Sequence, residues 1–188
     1  MGTVVSLLIR TAQKVPRLAE AQSRQLIPLF LTFLGYSNQD SASVEIYDES
    51  QCKGKEKRGI IKEWLILIKE MRNPRSVFRG HFLKEILTNR LLEQSDPHIQ
   101  LKVLECLLNW KDGFFLSYEE HLKNLKTTCE EVTTWSLSKE SQQIEEGHKD
   151  ELIPIIIRIL ISKVKKIKGG SSKKSAVLQR KEVLWFLA

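Results

Sequence analysis

The sequence predicts an all-α fold, an α-solenoid built from antiparallel helix pairs. Three observations carry that expectation. Apolar residues return at helical spacing in segment after segment, as in Ile60, Ile61, Trp64, Leu65, Leu67, Ile68 and Met71. Runs that alternate apolar and polar residues, the mark of a half-buried strand, are few, and the chain holds only 9 Gly and 5 Pro. Finally, two apolar helical segments meet across the short polar turn Glu93-Gln94-Ser95, which leaves room only for an antiparallel pair.

That pair is the centre of the chain. Its second half reads SDPHIQLKVLECLLNWKD, from Ser95 to Asp112. Asp96 can accept from the free N–H groups of a first helical turn, and Pro97 stands where its missing donor costs nothing. Pro97, Leu101, Leu104 and Leu108 fall on one stripe, widened by Cys106, Leu107 and Trp110, with Gln100, Lys102 and Glu105 expected on the polar side. Upstream, Phe82, Ile86, Leu87, Leu91 and Leu92 supply the facing apolar surface. The unit from Pro74 to Trp110 spans roughly 37 residues, close to the ~40 of HEAT-type repeats, in which an Asp opens the second helix and a basic residue follows its first apolar turn. Asp96 and Lys102 fill those positions, so the helical repeat is HEAT-like.

The remaining elements are placed around it. Residues 1–35 form N-terminal helices of the repeat: Val4, Val5, Leu8 and Ala12 mark a first short helix, stopped by the approach to Pro16. A second starts at Pro16, carries Leu18, Leu26, Leu29, Phe30, Phe33 and Leu34, bends at Pro28, and ends where Gly35 can take a left-handed conformation. Residues 36–58 are polar and aperiodic, a flexible loop and the best internal boundary. Central helix pairs occupy 59–137. Asn73-Pro74 breaks the first of these helices, and Lys111-Asp112-Gly113 turns the chain after Trp110. Phe114, Phe115, Tyr118, Leu122 and Leu125 then mark one helix, and Val132, Trp135 and Leu137 a further short one.

Residues 138–150, with Glu140, Glu145, Glu146 and Asp150, read as an acidic linker, and 151–188 as a C-terminal helix pair with a basic turn. In Glu151 to Lys168 the side chains of Ile155, Ile156, Ile159, Leu160 and Ile167 must be covered, since each left in water forgoes roughly 1.5 to 3 kcal/mol of burial. Gly169-Gly170 ends that helix and Ser175 to Leu187 forms the last. The chain stops at Ala188 without a polar capping element, as expected for a piece of a longer repeat.

Composition narrows the function. A chain of 188 residues with 41% hydrophobic and 28% charged residues can bury a core. Its net charge of +7 and pI near 9.3 favour acidic partners: RNA, acidic protein tails or anionic lipid. Cys52, Cys106 and Cys129 are scattered and odd in number, which describes neither a disulfide framework nor a metal site and fits a reducing compartment. The start MGTVVSLLIRTAQK lacks a basic region before its apolar stretch, unlike a secretory signal. The most apolar run, Leu152 to Ile161, is short and contains Arg158, so no transmembrane span is expected.

No catalytic constellation emerges. Gly169-Gly170-Ser171-Ser172-Lys173-Lys174-Ser175 lacks the Gly directly before the Lys of a phosphate loop and follows a helix instead of a strand. His81, His98, His121 and His148 show no metal-ligand spacing. Glu119-Glu120 beside His121 has no nucleophile to serve and suits a charged helix face. Catalytic, cofactor and metal residues are therefore expected to be none, and the chain is not expected to be an enzyme or to take a small-molecule substrate.

The basic segment is different. Arg158, Lys163, Lys165, Lys166, Lys168, Lys173, Lys174, Arg180 and Lys181 follow one another without an acidic residue, around a glycine-serine turn. Such a cluster can meet phosphates from several directions, with salt-sensitive and sequence-independent affinity. The same composition also serves nuclear import or a plain solvated surface. Lys53, Lys55, Lys57 and Arg58 form a smaller set in the polar loop and are expected to be solvated. Trp64, Trp110, Trp135 and Trp185 could stack on bases, but their places among apolar helix positions favour core packing.

Four segments in order resemble a known family: IIKEWLILIKEMRNPRSVFR from Ile60, SDPHIQLKVLECLLNWKD from Ser95, DELIPIIIRILISKV from Asp150 and VLQRKEVLWFLA from Val177. Their order and the NWKD ending are similar to the conserved-domain region of the DRIM family, very large HEAT-repeat proteins of the small-subunit processome. The resemblance covers most of the chain from about Pro16 and only a small part of such a protein. The chain departs from the family in a short linker between the last two helices and in Gln179-Arg180-Lys181-Glu182, which is poorer in small residues.

The resemblance implies a nuclear, nucleolar, non-enzymatic scaffold without cofactor. Its partners would be pre-ribosomal or small nucleolar RNA and processome proteins, during rRNA processing and small-subunit assembly. On that reading Lys163 to Lys181 form an RNA-facing ridge while Leu101 to Trp110 maintain the repeat core. The alternative is a protein-only helical-repeat adaptor that binds acidic partners through the same ridge. A membrane surface is disfavoured because the apolar side of Leu152 to Ile167 is needed inside.

Overall fold

The structure, a computed structural model, describes residues 2–36, 54–94, 96–124 and 144–166. Every regular element among the described residues is helical, as the periodicity predicts, and the chain divides into two compact units, Met1–Glu85 and Ile86–Ala188.

The first unit holds α1 (Gly2–Gln13), α2 (Pro16–Ala21), α3 (Ser23–Phe33), α4 (Lys55–Glu70) and most of α5 (Gly80–Ile86). Its core joins Ile27, Phe30 and Leu31 of α3 to Ile61, Trp64, Leu65 and Ile68 of α4, all buried. The rings of Phe30 and Trp64 pack at 5.2 Å between centroids. Helix α1 packs along α4. Glu63 holds it there, accepting from Arg10 Nε at 3.0 Å and from Gln13 Nε2 at 2.9 Å, while the Glu63 carbonyl accepts from the same Gln13 amide at 2.8 Å. Exposure of the Arg10 side chain keeps the ion pair a weak contributor beside the apolar packing. Of the apolar residues of α1, Ile9 is buried, whereas Val4, Leu7 and Leu8 are exposed.

Sequence spacing expected one helix from Pro16 to Leu34, bent at Pro28. The break falls instead at Gln22, and Pro28 lies within α3. A tertiary bond explains the position: buried Ser23 accepts the Phe78 N–H on its Oγ at 3.2 Å, tying the α2–α3 junction to the chain beyond α4. At the far end of α3, Gly35 has φ +97°, its N–H reaches the Thr32 carbonyl at 2.9 Å, and the Tyr36 N–H reaches the Leu31 carbonyl at 3.0 Å. This is a Schellman closure, as Gly35 led one to expect. Lys55 to Arg58, expected in the polar loop, form the first turn of α4. Gly54 supplies an extended entry, and Glu56 complements the positive end of the helix dipole. Residues 37–53 lie outside the described residues.

The second unit comprises a π-helical turn (Leu87–Leu91), α6 (Pro97–Leu108), α7 (Gly113–Leu116), α8 (Glu119–Asn124) and α9 (Glu146–Lys166). Helix α6 packs on the π turn, α7 and α8, and α9 packs on α7. Asp96 caps α6 as expected, its Oδ1 accepting the His98 N–H at 2.9 Å and the Ile99 N–H at 3.4 Å. Asp96→Ala should therefore cost about 1 kcal/mol, read as a lower urea midpoint at unchanged slope.

The buried arc of α6 is rotated from the predicted stripe. Ile99, Gln100, Val103, Leu104, Cys106 and Leu107 are buried, while Leu101 and Leu108 are only half-buried. The buried arc lies opposite His98, Lys102 and Glu105, which share one side of the helix, whereas the predicted leucine stripe follows only one edge of the apolar surface. Gln100 enters the interior because its amide Nε2 donates to the Leu92 carbonyl at 2.8 Å, satisfying a buried acceptor.

Two boundaries also shift. The predicted helix from Phe114 divides at Ser117–Tyr118 into α7 and α8, and α9 begins at Glu146, so Glu146 to Asp150 are helical rather than linker. The Tyr118 hydroxyl accepts the Glu145 N–H at 3.0 Å and anchors the entry to α9. Leu152, Ile155, Ile156, Ile159 and Leu160 of α9 are covered, as their apolar content requires. The short helix expected at Val132 to Leu137, the Gly169-Gly170 turn and the last helix lie outside the described residues.

Candidate nucleic-acid interface

Three residues of the predicted basic ridge lie on α9. The backbone of Lys163, Lys165 and Lys166 lies in the last described turns of α9. Lys168, Lys173, Lys174, Arg180 and Lys181 lie outside the described residues. Arg158 is half-buried, with its Nε 3.7 Å from Glu93 Oε1, within ion-pair range but beyond a hydrogen bond. Its charge is already matched within the unit. Lys57, expected to be solvated, sits over the Phe33 ring, its Nζ 5.6 Å from the centroid.

Trp64 and Trp110 are buried, so these two indoles belong to the core and offer no face to a base; Trp135 and Trp185 lie outside the described residues. His81 and His98 are exposed, and His148 packs against the Tyr118 ring at 5.8 Å. Among the described residues no group of His, Cys, Asp or Glu is placed to hold a metal ion, and no helix is long and apolar enough to cross a membrane.

A second basic site was not legible in the sequence. Arg17 on α2, Arg24 on α3 and Arg72 just beyond α4 line one cleft of about 740 Å³ with Glu20, Ser76 and Phe78. All three arginines are exposed. The chain beyond α4 is drawn to this place by main-chain bonds: Glu20 accepts the Arg72 N–H at 2.9 Å and the Asn73 N–H at 3.2 Å, and Ser23 accepts the Phe78 N–H. Ser76 Oγ donates to the Asn73 carbonyl at 2.9 Å and tightens the turn. Three guanidinium groups thus share a hollow with one carboxylate. Only the break at Gln22 and the capture of residues 72–78 by α2 and α3 bring them together, and neither has a local pattern. The stretch MRNPRSVF, residues 71–78, which contains Arg72, Ser76 and Phe78, was the available signal, and it reads first as a helix break.

An apolar hollow of about 500 Å³ lies elsewhere in the same unit, lined by Val5, Leu8, Leu26, Leu29 and Phe33 among others.

The chain matches the family model described as U3 small nucleolar RNA-associated protein 20, N-terminal, over residues 55–188. That span contains all four segments that carry the family resemblance and Arg72, while Arg17 and Arg24 precede it. The chain is also 30% identical over 94 residues to U3 small nucleolar RNA-associated protein 20 of Schizosaccharomyces pombe, an overlap that covers 48% of this chain and 4% of that protein.

Proposed function

We infer the role of this chain from one premise: it belongs to the U3 small nucleolar RNA-associated protein 20, N-terminal, family. It acts in ribosome biogenesis as a non-catalytic scaffold of the small-subunit processome in the nucleolus, supporting pre-rRNA processing and small-subunit assembly. The family match over residues 55–188 is the observation that carries this reading, and the relative's name, which attaches it to U3 small nucleolar RNA, gives the class of partner. Paired helices suit the scaffold, because they offer long surfaces at little cost in loop ordering. Exposed Leu7, Leu8 and Leu29 suit packing by a neighbouring helix of such a stack.

Contact with RNA phosphate is assigned to Lys163, Lys165, Lys166, Lys168, Lys173, Lys174, Arg180 and Lys181. Their unbroken positive charge supports it, since cations that neutralise phosphates release condensed counterions and bind without regard to sequence. Reversing Lys165, Lys166, Lys173 and Lys174 to Glu should weaken single-stranded RNA binding by at least about a hundredfold at low salt and leave helicity by circular dichroism unchanged. Unchanged affinity removes the ridge from the interface. Co-purification of partners that survives ribonuclease would transfer the ridge to an acidic protein.

A further inference from the structure

We infer that the cleft of Arg17, Arg24 and Arg72 seats a phosphate of an RNA backbone, with the Phe78 ring at its rim as the platform for an adjoining base. The inference rests on the RNA-binding reading above and adds a site to it in the first unit. The three guanidinium groups come from three separate elements and line one hollow, so they can approach an anion from different sides. Arginine suits this task because its planar fork pairs bidentately with phosphate oxygens and stays charged at every physiological pH. A volume of about 740 Å³ holds more than an inorganic ion, so a nucleotide unit fits.

Glu20 does not cancel the site. Its two carboxylate oxygens take the Arg72 and Asn73 N–H groups, so the one negative group in the cleft is committed to holding the third arginine in place. Ser23 does the same for Phe78 through that residue's N–H. The turn between them has a fixed shape. Arg79 takes a left-handed φ of 53°, and a Cβ on Gly80 would stand 2.6 Å from the Pro74 carbonyl oxygen. Phe78 remains 37% exposed, and the Arg79 guanidinium lies over its ring at 5.6 Å from the centroid. An exposed ring beside a guanidinium cluster matches the alternation of base and phosphate along a strand, whereas an acidic peptide would require the charge alone.

The test is fluorescence anisotropy with the whole chain, a labelled uridine oligonucleotide of about ten bases, and labelled polyglutamate of similar length, between 50 and 200 mM salt. Changing Arg17, Arg24 and Arg72 to Gln should lower RNA affinity about tenfold and reduce the slope of log affinity on log salt by about 0.7, for the one phosphate no longer neutralised. The three side chains are exposed, so helicity should not change. Phe78→Leu should weaken RNA binding about tenfold with the salt slope intact, since stacking releases no counterion. The reduction on removing the arginines should persist when the ridge lysines are also reversed. If the arginine variant keeps the parent slope while the parent binds RNA, the cleft is overturned and the ridge stands. A parent that binds no RNA overturns both. Polyglutamate binding that disappears with the arginines, at unchanged RNA slope, overturns the cleft as an RNA site and makes it a site for acidic protein.

Discussion

Trp64→Ala should lower the stability of the chain by about 3 to 5 kcal/mol, whereas Trp64→Phe should cost no more than about 1 to 2 kcal/mol. The difference follows from what the indole does. Its rings fill the α3–α4 interface against Phe30, 5% exposed, and alanine would leave a cavity there that Ile61, Leu65 and Leu67, all fully buried, cannot collapse to fill. Its Nε1, by contrast, is buried and has no hydrogen-bond partner among the described residues, so phenylalanine loses some volume but also removes a desolvated donor. Urea midpoints at constant slope measure both changes. The phenylalanine variant should also retain RNA affinity, because a ring at this depth cannot reach a base. Weakened RNA binding in a folded variant would return Trp64 to the interface.

Gly80→Ala should destabilise by about 2 to 3 kcal/mol and lower the unfolding temperature by roughly 4 to 12 °C. The sign is diagnostic. At an open helical glycine the same substitution helps, because alanine gives up less conformational freedom on folding. Here the added carbon would meet the Pro74 carbonyl oxygen at 2.6 Å and that of Arg75 at 3.2 Å, and both belong to the backbone of the turn. A main-chain carbonyl cannot swing aside like the tip of a side chain. The turn would have to shift, and with it the grip of Glu20 on Arg72 and Asn73. Differential scanning calorimetry reads the change directly; an unchanged or raised transition would mean that the turn is less tightly packed than its geometry implies.

What the sequence made legible was what depends on neighbours in the chain. Asp96 and Pro97 announce the start of α6 because capping is a local act, and Gly35 announces the end of α3 because the left-handed turn needs a residue without a Cβ. The core role of Trp64 and the coverage of Ile155 to Leu160 follow from periodicity in the same way. Helix faces were harder. Around α6 the leucine spacing follows one edge of the apolar surface, whereas the buried arc lies opposite His98, Lys102 and Glu105, packs on the π turn and brings Gln100 to the Leu92 carbonyl.

The break at Gln22 and the helical start at Glu146 depend on bonds to residues far along the chain, Ser23 to Phe78 and Tyr118 to Glu145. For the proposed interface the contrast is sharper. A run of lysines declares itself by composition alone. Arg17, Arg24 and Arg72 become one site only after α2, α3 and the turn beyond α4 have met.

Tagged chain, sedimented through a gradient of nucleolar extract with and without ribonuclease and probed for U3 small nucleolar RNA, gives the most direct test of an RNA-held processome component. Migration with that RNA in the pre-ribosomal fractions, abolished by ribonuclease treatment and weakened by charge reversal at Lys165, Lys166, Lys173 and Lys174, is the expected result. Migration apart from the RNA, or with the same particles after the RNA has been digested, would contradict it.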